Sequence, residues 1–160
     1  MKTNDRLLGI DLGTTAIKAA VFDKSGAIHD RFHENYATTR PGEALVEQNP
    51  DDWVRLVLKA LSTAAVSEIS AIGLCSQVNT HVFVDANGNA LCPAIVWKDR
   101  RANAEATSID SKLTIKQKEL WWGTPMPIDS SHVIARMAWV AKTLPDIWSR
   151  TCWVMLPKDY

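Results

Sequence analysis

Asp11, Gly13, Thr14, Thr15 and Lys18 fall within one short segment, Leu8-Gly9-Ile10-Asp11-Leu12-Gly13-Thr14-Thr15-Ala16-Ile17-Lys18. Together they supply a carboxylate, a glycine, two hydroxyls and an ammonium. The amides around Gly13 can point together at an anion, with Gly13 giving either a positive φ or a close backbone approach that a side chain would forbid. Thr14 and Thr15 add hydroxyl donors and Lys18 adds positive charge. Asp11 would repel a bare phosphate, so the set is coherent only with a cation such as Mg2+ between carboxylate and phosphate. The predicted chemistry is binding of nucleotide phosphates and a divalent metal, with Asp11 facing the metal. A plain hairpin turn accounts for Asp-Leu-Gly alone, but not for the two threonines, the lysine and the closing Asp23.

A second polar cluster, Ser76-Gln77-Val78-Asn79-Thr80-His81, follows the apolar run that ends at Cys75. Ligands gather at such strand ends in open α/β sheets, and Gln77 and Asn79 can each donate and accept to a polyhydroxylated ligand. Turn residues bonded to their own backbone are the competing account of each one. His81 reads as a solvent-facing strand residue or a satisfied core position, not as a base. The third cluster is Trp97-Lys98-Asp99-Arg100-Arg101. Here Asp99 either caps a helix and pairs with an arginine or accepts from sugar hydroxyls while Trp97 walls the carbon skeleton. The two roles are compatible.

The elements that must position these groups follow from periodicity. Leu7 to Ile10 and Ile17 to Phe22 read as strands around the polar turn, and Ala27 to Tyr36 as a third strand. Residues 37–50 form a loop. Asn49-Pro50-Asp51-Asp52 then starts a helix with proline in its first turn and acids at its positive end. Trp53, Leu56, Val57, Ala60, Leu61 and Ala64 form its buried face. Strands are expected at Ile69 to Cys75, His81 to Val84, Pro93 to Val96 and Thr151 to Leu156, with a turn at 85–89. Helices are expected at Asp99 to Ile109, Ile115 to Trp122 and Ser131 to Thr143. The order points to an α/β domain with a mixed sheet.

The chain has 160 residues, 46% of them hydrophobic, enough for one real core. Eighteen basic residues balance 18 acidic ones, which argues against the broad electrostatic attraction that nucleic-acid binding needs. Cys75, Cys92 and Cys152 are odd in number and widely spaced, as for reduced, buried thiols rather than a disulfide frame or zinc site. The first residues lack an apolar signal region, and no apolar run approaches membrane-spanning length. A cytoplasmic protein with no membrane partner is expected. Seven tryptophans are expected mostly as core or interface mass.

The opening motif resembles the first phosphate motif of the actin-like ATPase superfamily. Gly73-x-x-x-Gln77, Ile95-Val96-Trp97-x-Asp99-x-Arg101, Glu47-Gln48-Asn49-Pro50 with Trp53, and the xylulokinase-like Met155-Leu156-Pro157-Lys158-Asp159-Tyr160 are similar to segments of the FGGY carbohydrate kinases. The resemblance runs through the whole chain. Another actin-like ATPase, such as a chaperone or filament protein, does not carry the Gln77 and Trp97-to-Arg101 clusters.

The resemblance implies an α/β, actin-like ATPase (ribonuclease H-like) domain with a mixed β-sheet and flanking helices, incomplete. Residues 1–160 would be the N-terminal, sugar-binding domain, truncated before its end, with the C-terminal ATP-binding domain absent. It implies ATP-dependent phosphorylation of a sugar or polyol hydroxyl, a xylulose-like pentulose foremost, with ATP and Mg2+ as cofactors. Asp11 would organise the metal, and Gly13, Thr14, Thr15 and Lys18 would face the terminal phosphates. Gln77, Val78, Asn79, Trp97 and Asp99 would contact substrate. Xylulokinases commonly carry Met-His, and glycerol kinases Arg-Glu, where this sequence has Val78-Asn79, a departure that bears on which substrate fits. The aspartate that takes the hydroxyl proton lies beyond Tyr160 in the family pattern. No catalytic residue is therefore expected here, and the isolated chain is expected to be inactive. The alternative is a noncatalytic sugar- or partner-binding piece. In it, the uncovered C-terminal strand would pair with a second copy to form a homodimer.

Overall fold

A computed structural model describes residues 6–64 and 69–160. Its frame is a four-stranded sheet in the order β3 (Ile28–Asn35), β2 (Ala16–Phe22), β1 (Arg6–Leu12), β5 (Ile69–Ser76). Strand β1 (Arg6–Leu12) runs antiparallel to β2 (Ala16–Phe22), and β2 antiparallel to β3 (Ile28–Asn35). Strand β5 (Ile69–Ser76) lies parallel to β1 on its other side. The sheet is thus mixed, as the sequence predicted, with the three-strand meander in place.

Between β3 and β5 the chain forms β4 (Glu47–Gln48) and then α1 (Pro50–Thr63). The Asn49 side chain caps α1 by accepting from the Asp51 N–H, and proline occupies the first turn. Helix α1 buries Trp53, Leu56 and Ala60 against Leu8, Ile10, Leu12, Ile17, Ala19 and Val21. The alternation in β1 follows from this contact: Leu8, Ile10 and Leu12 face α1, whereas Leu7, Gly9 and Asp11 face away. Glu34 on β3 pairs with Lys59 and Arg55 of α1, which pins the helix across the sheet.

The opposite face carries no covering helix among the described residues. It forms an open hollow of about 690 Å³ whose lining includes Gly9, Asp11, Lys18, Phe22, His33 and Cys75. The glycines at the paired positions Gly9 and Gly73 keep its floor flat.

The second half packs around the far ends of these strands. Strand β6 (Val82–Val84) pairs antiparallel with β8 (Trp153–Met155), and β7 (Ala94–Ile95) with β4. The C-terminal strand expected to be uncovered therefore has β6 as a partner on one side. Helices α2 (Asn103–Asp110), α3 (Ile115–Trp122), α4 (Val133–Thr143) and α5 (Pro145–Arg150) flank these pairs. Helix α3 has both signatures of a well-terminated helix: a capping box between Thr114 and Gln117, and Gly123 with φ 70° just past its end.

Several expectations need correction. The helix expected from Asp99 starts at Asn103, because residues 99–102 form turns and Asp99 is used elsewhere. Helix α5 was not anticipated: its six residues are too few to show a period. All three cysteines are free, but Cys75 and Cys152 are exposed rather than buried. Trp53 is core, while Trp121 and Trp153 are largely exposed.

Candidate functional site: a clamped polar turn beside a polar strand end

The turn at residues 13–15 links β1 to β2, and all three of its carbonyls are held by the protein. The Tyr36 hydroxyl donates to the Gly13 carbonyl, Gln48 Nε2 donates to the Thr14 carbonyl at 2.7 Å, and the Tyr36 N–H donates to the Thr15 carbonyl at 3.2 Å. Burial, and then the charge of Asp11, push the Tyr36 phenol up to about 12, so it stays a donor at neutral pH. The Gly13 N–H closes the hairpin onto the Ala16 carbonyl at 3.1 Å. Among the described residues, the N–H groups of Thr14 and Thr15 have no protein acceptor. A turn with its carbonyls tied inward and two N–H groups unspent can offer both donors to an anion.

Gly13 serves by close approach rather than by positive φ: a Cβ there would lie 3.2 Å from the Ala16 carbonyl oxygen. Asp11 and Lys18 stand directly opposite each other in the β1–β2 ladder, on the face away from α1. The Cys75 thiol, opposite Asp11 on β5, donates to Asp11 Oδ1 at 3.5 Å. Among the described residues, no group of three His, Cys, Asp or Glu side chains could cage a metal. Asp11 nevertheless fits Mg2+, which is bound through one or two carboxylates plus phosphate oxygens and keeps several waters.

The second cluster sits beside this turn. The Gln77 N–H donates to the Leu12 carbonyl at 2.8 Å, tying the end of β5 to the end of β1. The Gln77 side chain is buried and donates from Nε2 to Gln48 Oε1 at 2.8 Å. Val78 is 70% exposed, and Asn79 follows with φ 53°, a left-handed conformation that asparagine tolerates better than most residues. Asn79 Nδ2 donates to the Ser131 hydroxyl at 3.2 Å, and that hydroxyl donates to Asp129 at 2.7 Å.

Trp97 joins the two clusters. Its indole N–H donates to the Thr14 hydroxyl at 3.0 Å and its backbone N–H to the buried Thr80 hydroxyl at 3.1 Å. With the Lys98 ammonium 5.0 Å from its ring centroid, Trp97 still leaves 42% of its surface open. The structure thus brings Thr14, Gln77 and Trp97 together, with Asp11, Gly13, Thr15 and Lys18 on the same turn and its strands, and Val78 and Asn79 at the rim.

Asp99 does not fit the substrate-contact expectation. It is 1% exposed, and its carboxylate accepts from the Val46 N–H at 2.6 Å and from the Arg101 N–H and guanidinium at 2.7–3.0 Å. No lone pair is left facing solvent. It also caps no helix: the pairing with an arginine is the part of the expectation that holds. Arg101 in turn pairs with Glu47 at 2.7 Å and stacks on Trp139.

Sequence reasoning missed Tyr36, Gln48 and Arg136 as supports. Arg136 lies on the buried side of α4, between Ala135 and Val140. Its guanidinium donates to the carbonyls of Asn79, Ser130, Ile95 and Val96 and to His81 Nδ1 at 3.0 Å. Because a guanidinium only donates, His81 Nδ1 must accept. Burial, reinforced by the Arg136 charge, pushes His81 down to about 3, so the imidazole is neutral. His81 is thus the satisfied core histidine of the two alternatives. A charge inside an otherwise apolar helix stripe was the signal for Arg136.

A parallel β1–β5 pair with an antiparallel meander beside it and a polar turn between β1 and β2 is the frame of the actin-like ATPase fold, which the solved carbohydrate kinases share. Residues 6–160 match the model of the N-terminal domain of the FGGY family of carbohydrate kinases, and the chain belongs to that family. It is 29% identical to a xylulose kinase of Lactococcus lactis, over 96% of this chain and 31% of that protein. It is 28% identical to a gluconokinase of Bacillus subtilis, over 96% of this chain and 30% of that protein. A crystal structure described as a xyloylose kinase from Brucella ovis superposes with a TM-score of 0.86 at 30% identity, covering 97% of this chain and 33% of that one. The chain therefore spans about a third of the length of these relatives. Among the described residues, no helix is long and apolar enough to cross a membrane.

Proposed function

We propose that this chain provides the sugar-facing part of an ATP-dependent carbohydrate kinase, with a phosphoryl group passed to a hydroxyl of a sugar or polyol. The observation that carries this reading is the turn at residues 13–15. Its carbonyls are all engaged, its Thr14 and Thr15 N–H groups have no acceptor among the described residues, and Trp97 is bonded to the Thr14 hydroxyl. In this reading the turn's donors and the exposed Trp97 ring would meet at Thr14.

In this reading the Thr14 and Thr15 N–H groups, the Thr15 hydroxyl and Lys18 orient the terminal phosphates of ATP. Asp11 would hold Mg2+, which supplies charge neutralisation between the phosphates. Gln77, Val78, Asn79 and Trp97 would bind the substrate, foremost a pentulose such as xylulose, in keeping with the xylulose kinases among the relatives. Val78-Asn79 gives this wall its own chemistry, a branched apolar group and an amide. The proton-accepting aspartate and most of the ATP site belong, in the family pattern, to polypeptide beyond the portion matched here. The isolated chain is then a binding portion without turnover, since positioning of both reactants is what makes phosphoryl transfer fast.

Titration calorimetry of the purified chain with D-xylulose, gluconate and glycerol tests this. Saturable binding of one of them without ATP-dependent phosphorylation is expected. Turnover by these 160 residues alone would overturn the placing of the base outside the portion matched here. The open face of the β3-β2-β1-β5 sheet favours a second reading, a noncatalytic piece that pairs through apolar surface. Concentration-dependent dimerisation in sedimentation, with no sugar binding, would select it.

A further inference from the structure

The side chains of Gln48 and Gln77 form a continuous hydrogen-bonded path between the polar strand end and the phosphate turn. Gln48 lies in β4, immediately before the Asn49 cap of α1, and is 2% exposed. Its Nε2 donates to the Thr14 carbonyl and to the Thr38 hydroxyl, both at 2.7 Å, and its Oε1 accepts from Gln77 Nε2 at 2.8 Å. The orientation of both amides is forced. Thr14 offers only a carbonyl, so Gln48 must turn its NH2 there and its oxygen to Gln77. Gln77 must then present its NH2 to Gln48, which leaves Gln77 Oε1 buried with no donor.

Among the described residues, Gln77 therefore has one side-chain anchor, and that anchor is Gln48. Gln48, by contrast, is fully engaged and sits on a strand held by β7 and followed at once by a capped helix. We propose that Gln48 is a positioning residue that couples the polar row after β5 to the phosphate turn. Through it, a displacement of Gln77 is transmitted to the Thr14 carbonyl, and with it to the Thr14 and Thr15 N–H groups. The value of this coupling to a kinase rests on the carbohydrate-kinase reading, since it would let an occupied sugar side set the geometry of the phosphate side. The coupling itself does not rest on that reading. The Trp97 indole reaches the Thr14 hydroxyl, not its carbonyl, and so forms a separate contact.

The test is a double-mutant cycle read by amide NMR on the whole chain without ligand. Gln77→Met is expected to move the Thr14 and Thr15 amide resonances. It should also speed hydrogen exchange of the Gly13 and Tyr36 N–H groups, which bond across the turn, by about fivefold, the effect of losing one ordinary hydrogen bond. In a Gln48→Met background the same Gln77 substitution should leave these amides unchanged, whereas in a Trp97→Phe background its effect should persist. Gln48→Asn, which keeps an amide but is one methylene short of spanning both partners, guards against misfolding of the methionine variant and should block transmission equally. Equal effects of Gln77→Met with and without Gln48, or no effect in either background, would overturn the proposal. Titration of the same samples with D-xylulose, gluconate and glycerol separates the two ideas: an intact cycle with binding of none of the three keeps the coupling and removes the sugar-binding reading.

Discussion

The Trp97 indole N–H donates to the Thr14 hydroxyl at 3.0 Å, although 83 positions separate them in the chain. This bond spends the indole's only polar group on the turn at residues 13–15 and leaves the ring itself for apolar contact. Trp97→Phe should lower the unfolding free energy by about 1 kcal/mol, the net value of a hydrogen bond, with sugar affinity largely retained. Trp97→Ala should weaken sugar binding by about tenfold, equivalent to ~1.4 kcal/mol of lost contact. Urea titration and calorimetry on the two variants separate the roles of N–H and ring.

Arg136 satisfies four carbonyls from three different segments, so its removal should be far more damaging than an ordinary helix substitution. Arg136→Met is expected to cost at least about 3 kcal/mol, because several buried carbonyls lose their donors at 1–3 kcal/mol each. Arg136→Lys should recover only part of this, since an ammonium lacks the planar fork that reaches several acceptors. Denaturant midpoints of the three proteins give the ranking.

His81 sets an acid limit on stability. Its folded pKa lies near 3 against an ordinary value of 6.5. As pH falls through 6.5 the unfolded chain takes up a proton that the folded chain refuses. The His81 contribution is therefore intact above about 6.5 and is lost between there and 3, with a slope of up to about 1.4 kcal/mol per pH unit. Denaturant midpoints at pH 7 and pH 5 should differ in the natural chain and differ less in His81→Gln. Parallel behaviour of the two would refute the assignment.

Asp11 and Cys75 can be tested without any ligand. Partial desolvation on the sheet raises the exposed Cys75 thiol, and the Asp11 charge and its hydrogen bond raise it further. Asp11→Asn removes both contributions from Asp11, so more thiolate is present at a given pH and alkylation should quicken. Peptide mapping after timed iodoacetamide treatment at pH 8 should show Cys75 labelled several-fold faster, with Cys152 unchanged as the internal reference.

Asp99→Asn should destabilise the chain by a few kcal/mol, because it leaves the buried Arg101 with Glu47 as its remaining carboxylate. Sugar affinity per folded molecule should not change. A selective loss of sugar binding with unaltered stability would restore Asp99 as a substrate contact.

The turn, its flanking strands and α1 were legible in the sequence because each rests on local signals: alternation in β1 and β2, and an Asn-Pro start with an apolar stripe in α1. The Gln77 and Trp97 clusters were visible as polar groups at strand ends. The supports were not, since Tyr36, Gln48 and Arg136 act across long stretches of chain and no local period reports which carbonyl they will meet. Asp99 shows the same limit in reverse. Its acid-arginine pattern suits exposure and burial equally, and only the approach of the Val46 N–H from a distant loop decides between them.

The bare side of the β3-β2-β1-β5 sheet has a calorimetric consequence. A folded chain of 17.8 kDa should expose about 8,000 Å², whereas this one exposes 9490 Å². Heat capacity of unfolding and denaturant sensitivity both scale with newly exposed area. Both should fall below the values usual for 160 residues, with a broad melt and a flattened stability curve, because Leu7, Ile28 and their neighbours are hydrated before unfolding begins.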